Sequence, residues 1–310
     1  MTGTSAEPTI AKAELVEERE IVTRLQIFLD QQNFGPGKID GRWGEFTGKA
    51  VSKYAQCYGL QIGADIYNQL PLDSVYPVYT TYQFTADDLK WVGPTSNKPS
   101  EQAKLKSLLY ADLLEFVSER YHSDPEFLQK INQGMDLEKL KAGDTIRVPN
   151  VAPFKIEEVK ALGSLVEIPE FKSRSVLVNR KDHMATLYEN TSDTKKVIAA
   201  FPITPGSDKL PSPPGKWSVI GIASMPTFRW DEGVLLHGKR TNQFFMLPSG
   251  PRNPVGVVWI GLSKPGIGMH GTNHPNSIGR AASHGCMRLA NWDAVRLAHL
   301  VTNKNVVTIE

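Results

Sequence analysis

Cysteine is scarce: Cys57 and Cys286 are the two in 310 residues. That excludes a disulfide-stapled scaffold and a zinc finger built from cysteines. Long hydrophobic runs are missing too. No window approaches the ~18 apolar residues of a membrane-spanning helix, and Met1–Ala13 lacks the charged start and apolar core of a signal peptide. Neither charge sign dominates, with 35 Lys and Arg against 33 Asp and Glu and a formal charge of +2. The whole chain therefore makes no case for a nucleic-acid partner. What is present is 40% apolar and 22% charged residues, enough for sizeable cores in two or three domains. The charge is unevenly placed. Residues 1–172 hold 19 basic and 25 acidic residues, whereas residues 173–310 hold 16 and 8. The basic C-terminal half suits an anionic partner.

Residues 1–19 read as a leader or linker. Ile21, Val22, Leu25, Phe28 and Leu29 recur at helical spacing, and Gly35-Pro36-Gly37 ends that helix. A tight loop, Ile39-Asp40-Gly41-Arg42-Trp43-Gly44, leads into a second helix through Thr47, Ala50, Val51 and Tyr54. Leu25-Gln26, Gly35, Ile39-Asp40-Gly41, Trp43-Gly44 and Thr47 together resemble the bacterial peptidoglycan-binding domain of three helices, over residues 20–72. Cys57, on the last helix, is expected to be a buried free thiol.

Within residues 73–151 a long helix is expected over Glu101–Tyr121, then a second from Pro125, with Asp124-Pro125 as its start. Leu140–Pro149 reads as a turn and a strand, and Tyr79–Leu89 could supply a first strand. Ile131-Asn132 and Ala142-Gly143-Asp144 in this order resemble a LysM module, a βααβ domain that binds glycans containing N-acetylglucosamine. The usual opening Gly-Asp-Thr-Leu segment is absent. Residues 152–172 read as a linker with a short strand at Leu165–Ile168. Beyond it, short alternating runs at Ser175–Val178, Met184–Tyr188, Val197–Phe201, Val219–Ile222 and Val257–Leu262 predict a mainly β domain, 173–310, with one clear helix at Trp292–Val301.

Five of the seven histidines fall in residues 237–299, beside Cys286. Two chemistries compete for them. Zinc would need three or four converging ligands, but His284 and Cys286 lack a nearby carboxylate or second cysteine to complete a set. A cysteine nucleophile with a histidine base fits better. Cys286 follows a glycine, where backbone N–H groups can face an oxyanion, and Arg288 with a histidine is expected to lower the thiol pKa. Trp259 is expected in the core. His237 and His274 read as exposed loop residues.

His270-Gly271-Thr272, followed by Ser283-His284-Gly285-Cys286-Met287-Arg288, resembles the signature of the YkuD-type L,D-transpeptidases of bacterial cell walls. Asn253-Pro254-Val255-Gly256 and Pro211–Trp217 support it. The resemblance implies a sandwich-like β domain whose cysteine thiolate attacks the third residue of a tetrapeptide stem, releasing D-alanine. A second stem's amine then resolves the thioester into a cross-link. Residue by residue, it implies Cys286 as nucleophile, His270 as base and the Gly271 carbonyl as the fixer of its tautomer. Gly285, with His284 and Ser283, would form or support the oxyanion hole, and Arg288 and Thr272 would meet substrate. Neither cofactor nor metal is implied. Gly271→Ala is expected to be mild where the dihedral tolerates a Cβ. The whole reads as a multidomain wall enzyme with peptidoglycan stems and glycan strands as partners and carbapenem-type β-lactams as inhibitors. An L,D-carboxypeptidase using water and a non-catalytic wall-binding protein are the alternatives. The substrate implies export to the cell envelope, with the leader absent from this chain.

Overall fold

The computed structural model describes residues 7–63, 66–162, 168–237, 239–280 and 285–310. Helix α1 runs Glu7–Gln31, so helical backbone begins well before the expected end of the leader. Helix α2, Glu45–Tyr58, buries Thr47, Ala50, Val51, Tyr54 and Ala55 on one stripe. It stops at Gly59, whose φ of 67° is left-handed and whose N–H reaches the Ala55 carbonyl, an end that glycine makes at no steric cost. A one-turn α3, Ile66–Gln69, follows. Gln26 explains the loop between α1 and α2. Its Oε1 accepts from Asp40 N (3.1 Å) and Gly41 N (3.0 Å), while its Nε2 donates to Asp40 Oδ1 (2.9 Å) and Arg42 O (3.1 Å).

Strand β1, Tyr79–Gln83, pairs antiparallel with β2, Thr145–Pro149. Between them lie α4 (Pro99–Gln102), α5 (Leu113–Arg120) and α6 (Pro125–Ile131). The single helix expected over Glu101–Tyr121 is thus replaced by two short ones. The segment between them spends its hydrogen bonds elsewhere: Leu108 N–H donates to Ser249 O (2.9 Å) and Tyr110 N–H to Trp91 O (2.9 Å). Asp112, in extended conformation, then caps α5 by accepting from Glu115 N at 2.7 Å. Asp124 caps α6 with Pro125 at its first turn, as the residue types favour.

The expected linker is packed rather than free. Ile156 and Val159, in the 3₁₀ turn Ile156–Leu162, are buried in the common core. Most of the strand expected at Leu165–Ile168 lies outside the described residues.

The C-terminal part holds β3 (Arg174–Asn179), β4 (Met184–Asn190), β5 (Lys195–Pro202), β6 (Gly215–Ser224), β7 (Phe228–Trp230), α7 (Glu232–His237), β8 (Phe245–Leu247), β9 (Val258–Leu262), β10 (Gly268–His270), β11 (Met287–Arg288), α8 (Asn291–Leu300) and β12 (Val306–Ile309). Among the described residues the main sheet has the order β11-β10-β9-β6-β12-β3-β4-β5. The long β6 joins its halves, pairing through Gly215–Ser218 with β12 and through Val219–Ser224 with β9. The two halves of the sheet, β11-β10-β9 and β12-β3-β4-β5, are thus hydrogen-bonded through this one strand, in the β-rich C-terminal part that was expected. The β7–β8 hairpin and α7 had no counterpart in the sequence reading.

The helical parts are docked on this sheet. Phe34 bridges Ala200 of β5, and residues from α1 to β12 form one apolar core. At the seam, Arg296 of α8 donates two 2.7 Å bonds to buried Asp30 of α1, and His122 Nδ1 lies 3.1 Å from the same carboxylate. The His122 ring stacks on Trp292 with centroids 5.1 Å apart.

Candidate active site

Parallel pairing of β10 with β11 sets Met269 opposite Met287 and His270 opposite Arg288. Side chains alternate along strands, so the two methionines are fully buried on one face. On the other face His270, Arg288 and Cys286 line a shared cavity of about 210 Å³, with Phe228, Trp230, Val234 and Trp259 among its apolar walls. Trp259 is therefore a wall of the site and not only core. Its ring stacks on His270 at 5.2 Å and 14°. A neighbouring groove of about 720 Å³ shares Phe228, Val234, Val255, Trp259 and Gly266 and adds Arg229 and Arg240. The aromatic hairpin, in which Phe228 pairs with Leu247 and Trp230 with Phe245, was missed from sequence; its signal was the recurrence of aromatics at Phe228, Trp230, Phe244 and Phe245 in an otherwise polar stretch.

His270 Nδ1 lies 2.6 Å from the Gly271 carbonyl oxygen. A carbonyl can only accept, so Nδ1 carries the proton and Nε2 is the bare acceptor. Burial depresses the imidazole to a pKa of about 4, against the opposing pull of that hydrogen bond, and Arg288 depresses it further.

Cys286 is half-buried, and its thiol donates to the Gly266 carbonyl at 3.5 Å. Here the sequence expectation is reversed. Burial pushes the thiol up to about 11, outweighing the lowering effects of a Gly268 backbone hydrogen bond and of Arg288. The resting pair is neutral thiol beside neutral imidazole, suited to proton transfer in step with attack rather than to a standing thiolate.

Gly285 has φ +106°, and an added Cβ would sit 3.3 Å from Ile267 Cδ1, so only glycine serves at this turn. Arg288 lies in the cavity wall, with its backbone exchanging 2.9 Å bonds with Thr204; among the described residues no carboxylate pairs with it. Thr272 is placed differently from expectation. It is buried, its Oγ1 accepts from His274 N at 3.2 Å, and it does not line the cavity. Ser283 and His284 lie outside the described residues, as does the His237 side chain. His274 is exposed, as expected, and lines a separate cavity between α5 and the loop after β10. No three His, Cys, Asp or Glu side chains converge at metal distance among the described residues.

One residue behind the site, Asn291, was not anticipated. The Gly271 backbone is pressed against Asn291, where an added Cβ would fall 2.1 Å from Oδ1, and Gly256 meets the same atom at the same distance. The tolerance expected for Gly271→Ala is thereby overturned.

Residues 173–309 match the family model of the L,D-transpeptidase catalytic domain, YkuD. The C-terminal part of the chain is thus similar to a catalytic domain of that kind, and the chain spans about half the length of the first relative it matches. The chain is 41% identical over 87 residues to the putative L,D-transpeptidase YkuD of Bacillus subtilis, covering 27% of this chain and 53% of that protein. It is 25% identical over 198 residues to the putative L,D-transpeptidase YkuD of Bacillus licheniformis, covering 64% of this chain and 93% of that one. Among solved structures, Mycobacterium tuberculosis L,D-transpeptidase 1 overlaps 44% of this chain and 61% of its own at 18% identity and a TM-score of 0.31.

Proposed function

We propose that this chain is a cell-wall L,D-transpeptidase that cross-links the third residues of peptidoglycan stems through a Cys286 thioester. The observation that carries the reading is the fixed His270 tautomer, whose bare Nε2 belongs to the ring sharing a cavity with Cys286. In the first half-reaction Nε2 takes the thiol proton as sulfur bonds to the third-residue carbonyl carbon. The oxyanion is met by N–H groups of Gly285 and Cys286, supported by Ser283 and His284. The imidazolium returns its proton to the departing D-alanine nitrogen as the C–N bond breaks. In the second, a neutral side-chain amine of another stem attacks the thioester and His270 takes its proton. The C–S bond breaks, and the thiol is restored.

Arg288 fits a stem carboxylate. The aromatic walls at Phe228, Trp230 and Trp259 favour an amine over water by excluding solvent. Residues 20–72 and the LysM-like 73–151 would hold the enzyme on glycan and peptide of the wall, placing it in the cell envelope. Carbapenem-type β-lactams would acylate Cys286.

Mass spectrometry of a tetrapeptide stem incubated with the enzyme tests the reading. A cross-linked dimer with release of D-alanine is expected. Tripeptide alone would make it a carboxypeptidase, and no product with no carbapenem adduct would leave a non-catalytic wall-binding protein.

A further inference from the structure

The Gly271 carbonyl can fix His270 only if something fixes Gly271. Its N–H donates to Val258 O at 3.1 Å, and its Cα rests on the carboxamide of Asn291, the first residue of α8. That carboxamide is wedged between Gly271 and Gly256, the latter held at φ +62°. Its Oδ1 accepts from Val257 N at 3.2 Å. Its Nδ2 donates to Pro251 O at 3.3 Å and, more closely, to Glu119 Oε1 at 2.9 Å. Glu119 belongs to α5, in the helical unit and outside the stretch that matches the catalytic-domain family. It is buried, and its second oxygen is bonded by the Tyr110 hydroxyl.

An amide side chain has two orientations related by a half-turn. The wrong one would set N–H against the Val257 N–H and the two glycines. An acceptor at Glu119 Oε1 selects the right one. We propose that Glu119 is a positioning residue for His270, acting through Asn291 and Gly271, so that the catalytic histidine is set by a side chain of the docked helical unit.

This rests on the reading of His270 as the base. Burial pushes the Glu119 carboxyl up to about 8, against the pull of its bonds from Tyr110 and Asn291, with Glu115 raising it further. Glu115 is itself paired with Arg252 at 2.9 Å. Lys38, Asp112 and His274 line the cavity on which Glu119 borders. Ionisation of Glu119 therefore places a charge one hydrogen bond from Asn291, and the wedge should register it.

The test uses the full-length chain with ¹⁵N-labelled histidine and ¹³C-labelled glutamate side chains. In the wild type, the His270 ring-nitrogen shift should follow the Glu119 carboxyl as it titrates. In Glu119→Gln, which keeps a neutral acceptor for Asn291 Nδ2, that inflection should vanish while imipenem acylates Cys286 within about 2-fold of the wild-type rate. Glu119→Met removes the acceptor without burying a charge. It should displace the His270 resonance and slow acylation about 10-fold, the worth of one hydrogen bond. A His270 resonance blind to the Glu119 titration overturns the proposal, as does a folded Glu119→Met chain with unchanged resonance and rate. Should Glu119→Met not fold, the wild-type and Glu119→Gln titrations decide alone. Absence of any imipenem adduct in the wild type would instead fell the reading of the active site and leave the resonance test standing.

Discussion

At residue scale the acid–base state of the pair is the sharpest consequence of burial. With His270 near 4 and Cys286 near 11, both groups are neutral over the range between. Acylation by a carbapenem should therefore be nearly flat from about pH 5 to 9, while alkylation by iodoacetamide, which needs thiolate, should climb towards alkaline pH. A stopped-flow pH series reads both. A thiolate already formed at neutral pH would instead give fast alkylation there. His270→Ala should slow acylation ~10²–10⁴-fold, and Cys286→Ala should give no adduct by mass spectrometry. Cys57→Ser should be nearly silent, since that thiol is half-buried on α2 and raised by burial. Gly271→Ala should now be as damaging as His270→Ala in the same assay. Its Cβ would drive into Asn291 Oδ1 at 2.1 Å.

Among the elements, α5 stands out because the sequence predicted it as the end of a longer helix. Leucines at 105, 108 and 109 match a helical period, yet that segment is held by Ser249 and Trp91 carbonyls. Tertiary hydrogen bonds overrode local propensity. Asp112, which starts α5 instead, is a strong capping residue. Asp112→Ala should cost about 1 kcal/mol of stability, measured by urea denaturation, because Glu115 N then loses its acceptor. Strands fared better: β3, β4, β5 and β9 lie within a few residues of their expected places, since short apolar runs bounded by turn residues read as strands.

For the whole molecule, the seam between α1, α5 and α8 governs stability. Burial raises Asp30, but Arg296 and His122 outweigh it and hold its carboxyl well below the usual range. That contribution is present above the ordinary carboxylate pKa and fades as pH falls through the lowered one. Asp30→Ala leaves the Arg296 charge with only the 3.8 Å contact to Asp293 and should cost ~3–5 kcal/mol. Glu119 and Asp293 run the opposite way, both pushed by burial to about 8. A raised carboxyl loses its stabilising share as pH rises from about 4.5 to 8. The melting temperature of Glu119→Gln should accordingly fall less across that interval than that of the wild type, in a calorimetric pH series. Because one core runs through all parts, the helical unit and the sheet should unfold in a single transition. Two well-separated transitions would contradict that.

The sequence by itself determined the short strands β3, β4, β5 and β9 and the cap at Asp124, and it singled out the block from His270 to Arg288. These follow from local rules: residue type, spacing and the need of a turn for glycine. It did not determine the neutral resting state of Cys286 and His270, the role of Trp259, or the wedge of Asn291 between Gly256 and Gly271. Nor did it reveal that the expected beads on a linker are joined through Asp30–Arg296 and Glu119–Asn291. Those pairings span 266 and 172 residues, and burial of a titratable group depends on what packs over it. No local pattern encodes a neighbour that distant; only the folded chain brings it into contact.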